Sequence, residues 1–337
     1  MSEAGLQPAP TEGPRGTAAE TSPVRDVRSY RRVPWSRIGL PAVLLVLCFA
    51  FGTMNPNFWS VTNLTNVSRQ ISILALISIG QTFAILSAGI DLSVGSLLAL
   101  VSVVTAQQML HFGLWGGILA GVMAGALIGL VNGFLIAKAK LPAFIATLGM
   151  LIAARGVALT LSGGMPVVGL PHEFLYLGAG KIGPVPVPAV IAALAFLAAH
   201  VMLSRTRFGR YVYAMGSNEE AAILSGINVV KYKVLVYVVS GIFAGIAGVV
   251  LTSRVISGQP TLGEVQELYS IAAVVIGGAK ITGGVGSIGQ TLMGVLVLGV
   301  LANGLNLIQV SSYVQNIVIG GIIILAVYID LARERRR

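Results

Sequence analysis

The chain has 337 residues, a mean hydropathy of +0.87 and only 10% charged residues; soluble domains carry about 25%, so an ordinary water-soluble fold is excluded. The net charge of +10 sits at the ends of apolar stretches rather than on one surface, which is the orientation signal of a membrane protein and implies no nucleic-acid partner. The single cysteine, Cys48, excludes an intramolecular disulfide, and His111, His172 and His200 are too scattered for a metal site.

Residues 1–34 are rich in Pro, Gly, Ala, Glu and Arg and lack apolar periodicity. They cannot bury a core, so a disordered, basic cytoplasmic tail is expected. The first apolar run starts only near Ile38, later than in a secretory signal, and reads as an uncleaved first span. Spans are predicted at roughly 38–54, 70–89, 93–110, 114–137, 142–162, 187–203, 234–252, 268–280, 287–308 and 313–330. The expected fold is all-α: a polytopic transmembrane helical bundle of about 10 spans over 35–331, followed by a basic cytoplasmic C-terminus at 332–337. The eighth stretch is short of the roughly 20 residues that a full crossing needs. It is expected to be tilted, broken or re-entrant, and shielded by protein.

With the N-terminus inside, 18 of the 22 Lys and Arg fall on inner segments, leaving only Arg69, Arg155, Lys181 and Arg254 elsewhere. The positive-inside rule therefore puts both termini in the cytoplasm and demands an even number of spans. AGIDLSVGS (88–96) and AKITGGVGS (279–287) share a pattern at an offset of 191. This echo reads as a parallel internal duplication of the kind found in transporters, or as chance similarity between Gly/Ser/Val-rich segments.

The acids constrain function. Ion-coupled carriers bury carboxylates as relays, yet of twelve acids only Asp91 approaches the membrane interior. It reads as an ion relay or, the favoured reading, as a cap: Asp91 or Ser93 would satisfy free N–H groups where the third span begins. The uncharged interior groups include Gln81, Asn132, Asn303 and Asn306. Amides donate and accept at once, as sugar hydroxyls require, but they also make ordinary interhelical hydrogen bonds. No phosphate-binding G-x-x-x-x-G-K-[ST] and no G-x-S-x-G is present. The chain is thus expected to be no enzyme and to hold no cofactor.

Two polar stretches stand out. The outer loop 163–187 is rich in Pro and Gly and reads as a structured rim for a soluble partner, or as a loop folded over the bundle. The inner stretch 204–233 carries five Lys/Arg, a Gly216-Ser217-Asn218 turn and a short helix opening at Glu219. A chain that merely turns round does not need such a stretch; it suggests a docking surface for a separate engine. Two acids in the first turn suit the helix dipole, and Gly226 suits its C-terminal end.

NFWSVTNLTNVSRQISILALISIGQTFAILSAGIDLSVGSLLAL (57–100) resembles the membrane permeases of bacterial ABC sugar importers of the ribose/xylose/galactose type. Its most specific part is G-I-D-L-S-V-G-S (89–96), with Gly89, Asp91, Ser93 and Gly95. GMPVVGLPHEFLYLGAGKIGPVPVP, RTRFGRYVYAMGSNEEAAILSGINV and AAVVIGGAKITGGVGSIGQTLMGVLVLGVLANGLNL resemble the same family in order, the last bearing Gly277, Gly278, Gly283, Gly284 and Gly286. The likeness covers about 38–331 and implies several things. Two permease copies would form the pathway in the bacterial inner membrane. A cytoplasmic ABC ATPase would bind the ATP, and a periplasmic or lipid-tethered sugar-binding protein would deliver a monosaccharide or related polyol. Gly216, Asn218, Glu219, Glu220, Ala221, Ala222, Leu224 and Gly226 would belong to the coupling helix that enters the ATPase. The competing expectation is an ion-coupled secondary carrier of a small polar solute, which the scarcity of buried acids disfavours.

Overall fold

The computed structural model describes residues 35–334, and the tail expected at 1–34 and the last residues, 335–337, lie outside that range. Helix α1 spans Trp35–Met54 and α2 spans Val61–Leu86. The latter begins nine residues earlier than hydropathy alone predicts, because Ser60 caps it: its hydroxyl accepts the Asn63 N–H at 3.2 Å. Helix α3, Val94–Ala137, is 44 residues long but is broken at Gly113, whose backbone (φ 72, ψ −176) leaves the helical region. Gly117 abuts Met109 and Gly121 abuts Thr105, so the arms 94–112 and 114–137 double back on each other.

Helix α4, Ala143–Ser162, ends at a left-handed Gly163. The segment after α4 folds into a short helix α5, Leu175–Ala179, and a short hairpin of β1, Lys181–Ile182, and β2, Val185–Pro186. This cover is pinned to the bundle. Val167 pairs with Gly258, Phe174 is fully buried, and the Ser253 hydroxyl accepts the Gly178 N–H at 2.7 Å. The basic stretch 204–233 is helical almost throughout: α6, Val187–Arg205, hands over to an amphipathic α7, Arg207–Ser217, then α8, Glu219–Leu224, and α9, Val229–Val255.

Helices α2 and α9 are largely enclosed by the others, whereas α4 and α6 present Phe144, Ile152, Leu194 and Leu197 outward, as lipid-facing helices do. The most extensive contact is α3 on α9, where Gly125 and Gly129 meet Gly241 and the Tyr237 backbone directly. After a left-handed Ile256 the chain re-enters the bundle. Ser102 Oγ accepts the Gln259 N–H at 3.1 Å, and Arg155 donates to the carbonyls of Pro260 and Leu262 at 2.9 and 2.8 Å. Only then does α10, Gln266–Ile276, begin. Its 11 residues rise about 16 Å, half of a bilayer core of about 30 Å. Helices α11, Ile288–Leu307, and α12, Ser312–Glu334, complete the bundle. Among the described residues six helices are long and apolar enough to cross a membrane, with α3 counted once.

Candidate functional site

Asp91 lies in the break between α2 and α3 and is 1% exposed. One carboxylate oxygen accepts the Ser93 N–H at 3.0 Å and the Ser93 hydroxyl at 2.6 Å; the other accepts the Ser240 hydroxyl at 2.8 Å. The Asn132 amide donates to Ser93 Oγ at 2.9 Å. Ser240 stands eleven residues into α9, roughly 16 Å along its axis, so Asp91 sits far deeper than the inner end of a span. It does satisfy a backbone N–H at the start of α3, but it also ties α3 to α9. Gly89 packs against the Tyr237 hydroxyl, and Gly95 against the Gly263 carbonyl and Glu267.

A second cluster gathers three separate stretches of sequence. A side chain at Gly216 would strike the Leu86 carbonyl, and the Gly284 N–H donates to that same carbonyl at 3.0 Å. Gly283 and Gly284 lie on Gly216 and Ser217, and the Tyr213 hydroxyl donates to the Gly286 carbonyl at 2.7 Å. Burial pushes the Tyr213 phenol above its ordinary value, which keeps it a donor. The end of α7 thus rests on the end of α2 and on the glycine-rich 277–287 segment. Gly277 meets the Gln290 backbone, and Gly278 takes the left-handed turn that closes α10.

Helix α8 projects from this platform. Asn218 caps it, its side-chain oxygen accepting the Ala221 N–H at 2.9 Å. Ala222 is buried, and Gly226 (φ 80) closes the far end with its N–H donating to the Ile223 carbonyl at 2.9 Å. Lys233 pairs with Glu219 at 2.6 Å. Leu224 is 89% exposed beside a half-exposed Ile223.

The interior amides part company. Asn303 and Asn63 bond each other reciprocally at 2.9 and 3.1 Å, with Asn63 also donating to the Phe58 carbonyl. That pair joins α11 to α2. Asn132 belongs to the Asp91 cluster. Asn306 lines a cavity of about 540 Å³ together with Gln70, Tyr269 and Asn316. Gln81 is fully buried, and neither atom of its amide has a partner among the described residues. A second cavity, of about 760 Å³, opens beside α8 and is lined by Lys140, Glu219, Asn228 and Lys233.

Residues 63–327 match the family described as branched-chain amino acid transport system / permease component. The chain belongs to this permease family. The permease is 47% identical over 296 residues to the ribose import permease protein RbsC of Escherichia coli K12, covering 86% of the chain and 92% of that relative. It is 46% identical to RbsC of Bacillus subtilis, covering 85% and 90%, and 38% identical to the L-arabinose transport system permease protein AraH of Escherichia coli K12, covering 92% and 94%. No solved structure matches it. Its relatives are transport subunits, so the permease is a membrane transport component and not an enzyme.

The Asp91 cluster in the permease carries a direct expectation. Asp91→Asn keeps one oxygen for the two Ser93 donors, and the Ser240 hydroxyl can turn to accept from the new amide. Asp91→Leu strips all three donors of an acceptor, at about 1–3 kcal/mol for each group left buried and unpaired. The asparagine variant should therefore unfold within a few degrees of the wild type in detergent, and the leucine variant should fail to accumulate. Equal behaviour of the two would show that the hydrogen bonds to Asp91 contribute nothing to stability.

Proposed function

We propose that this protein is the membrane permease of an ATP-driven importer in the bacterial inner membrane, carrying a neutral monosaccharide inward. The observation that carries this reading is the near-full-length likeness to permeases named for ribose and arabinose import. The exposed Leu224 tip of α8 supports it from the structure. A cytoplasmic ABC ATPase binds ATP and receives α8, a sugar-binding protein delivers the solute outside, and a second permease copy completes the pathway. With the two arms of α3 counted separately and α10 counted as a broken element, the helices make ten membrane segments with both ends inside.

The duplication reading rests on the echo of 88–96 in 279–287, each lying at the junction of two helices, α2 with α3 and α10 with α11. The mechanism is alternating access. When ATP closes the ATPase, motion of α8 passes through α7 to the end of α2 and to 277–287, because Gly216 touches both. The permease couples two sites by presenting different contacts in two states.

The test is uptake of D-ribose, D-allose and L-arabinose by proteoliposomes holding the permease with its ATPase and binding protein. Uptake of at least one sugar should need ATP and persist when proton and sodium gradients are collapsed. Uptake that disappears with a gradient would instead establish an ion-coupled carrier.

A further inference from the structure

The cavity of about 760 Å³ beside α8 is a wedge between three elements. The end of α3 and the turn after it contribute Ile136, Lys140 and Leu141, α8 contributes Glu219 and Ile223, and α9 contributes Val230, Lys233 and Tyr237. The three α9 residues are spaced by three and four, so they form one stripe down the helix. At one level the wedge is basic: Lys140 is exposed with no ion-pair partner among the described residues, and Lys233 has Glu219. Between the lysines and the far end the walls are apolar. There Tyr237 stands eight residues into α9, about 12 Å along its axis. It is 1% exposed, and its hydroxyl has no hydrogen-bond partner among the described residues. That hydroxyl lies against Gly89, which lines the same cavity.

We infer that this cavity seats an anionic phospholipid of the cytoplasmic leaflet, its phosphodiester between Lys140 and Lys233 and its glycerol ester at the Tyr237 hydroxyl. From the importer reading the inference takes only that 138–142 and 229–233 lie on the cytoplasmic side; it does not depend on what is transported. Basic pockets between membrane helices on that side are where anionic headgroups seat. A buried donor without a partner is costly and needs a reason, and an ester carbonyl supplies the acceptor that the phenol lacks. The apolar stretch between the lysines and the phenol favours a lipid over a free anion, since an inorganic ion brings no apolar surface to cover Ile136, Ile223 and Val230. An acyl chain has a way out along the start of α4, where Phe144 and Ile145 are exposed next to Leu141 and Ala143 of the cavity. Since Glu219 and Ile223 belong to the wall, a headgroup that shares Lys233 with Glu219 also braces the base of α8.

The experiment uses the full-length permease in a neutral detergent, with dioleoylphosphatidylglycerol as probe and dioleoylphosphatidylcholine and glycerol 3-phosphate as comparisons. Native mass spectrometry should show one phosphatidylglycerol held per chain at concentrations where phosphatidylcholine is not held, and only phosphatidylglycerol should raise the unfolding temperature. Lys140→Gln should weaken retention about fivefold, the factor that one basic residue contributes at an anionic surface. Lys138→Gln removes the same charge from an exposed side chain that lies over Phe134 and outside the cavity, and should leave retention unchanged. Tyr237→Phe removes only the unpaired hydroxyl. It should unfold at or above the wild-type temperature without lipid, yet hold phosphatidylglycerol about fivefold less well, the worth of one hydrogen bond. Equal retention of the two lipids, equal losses from the two lysine changes, wild-type retention by Tyr237→Phe, or stabilisation by glycerol 3-phosphate equal to that by the lipid would each overturn the inference. So would release of the lipid when the ATPase binds, which would make the cavity a protein contact. Lipid retention by a permease whose uptake needs an ion gradient would leave the site standing and remove the importer reading.

Discussion

Gly241→Leu should prevent the permease from accumulating as a folded protein. At this position α9 crosses the second arm of α3 at backbone contact. A side chain on Gly241 would strike the Gly125 carbonyl, and one on Gly125 would lie 2.9 Å from the Gly245 Cα. Neither helix can yield alone, because α3 also rests on α9 at Gly129 and Gly133, against the backbones of Tyr237 and Val234. Overpacking a tight core costs about 1–3 kcal/mol even when neighbouring side chains can shift; here the neighbours are main chain. Since a domain's whole stability is about 5–15 kcal/mol, and this contact also holds Ser240 against Asp91, the loss should be near complete. The measurement is the yield of monodisperse protein after solubilisation, with Gly149→Leu as control, since nothing lies within 4 Å of a side chain added there. Comparable yields from the two variants would mean that the crossing opens to admit a side chain.

That crossing was only partly legible in the sequence. Gly121, Gly125, Gly129 and Gly133 recur at every fourth position, as do Gly241 and Gly245, which is the pattern of close helix approach in membranes. A high glycine count reveals the tendency; the four-residue spacing reveals the face, and it was the signal to follow. The helices themselves were readable because apolar length and charge at the ends are local properties. The start of α2 at Val61 was less so, since Ser60 caps a polar first turn that hydropathy scores as loop. The depth of Asp91 was not readable at all. Its place depends on α3 beginning well inside the bundle, which is fixed by Ser240, a residue 149 positions away. For the interior amides the functional group was the same each time and the partner decided. Asn303 found Asn63, Asn132 found Ser93, Asn306 met a cavity and Gln81 met nothing. Partners across the fold are what a single sequence does not display.

Leu224→Asp should uncouple the transporter while leaving the membrane bundle intact. Helix α8 is short, and its own stability comes from the Asn218 cap, the buried Ala222 and the turn at Gly226 rather than from Leu224, which touches little of the chain at 89% exposure. A change at its tip should therefore leave yield and unfolding temperature as they were. If the tip is the anchor that enters the ATPase, truncating a well-buried apolar anchor costs about 2 kcal/mol or more, which is a factor of roughly 30 in affinity, and a buried aspartate adds a desolvation penalty. Co-purification of the ATPase and its stimulation by sugar-loaded binding protein should both collapse. Glu219 makes the contrast. Its carboxylate is already paired with Lys233 at 2.6 Å, the Glu219 side chain being 48% and the Lys233 side chain 19% exposed, and a pair still open to water contributes about 1 kcal/mol. Glu219→Gln should thus cost little in either stability or coupling. The sequence alone ranks these two residues together, as neighbours in one basic stretch; the structure separates a residue that serves its own chain from one that serves no part of it. Retained ATPase stimulation in Leu224→Asp would move the coupling contact to the 760 Å³ cavity beside α8, where Lys140 and Asn228 offer the alternative surface.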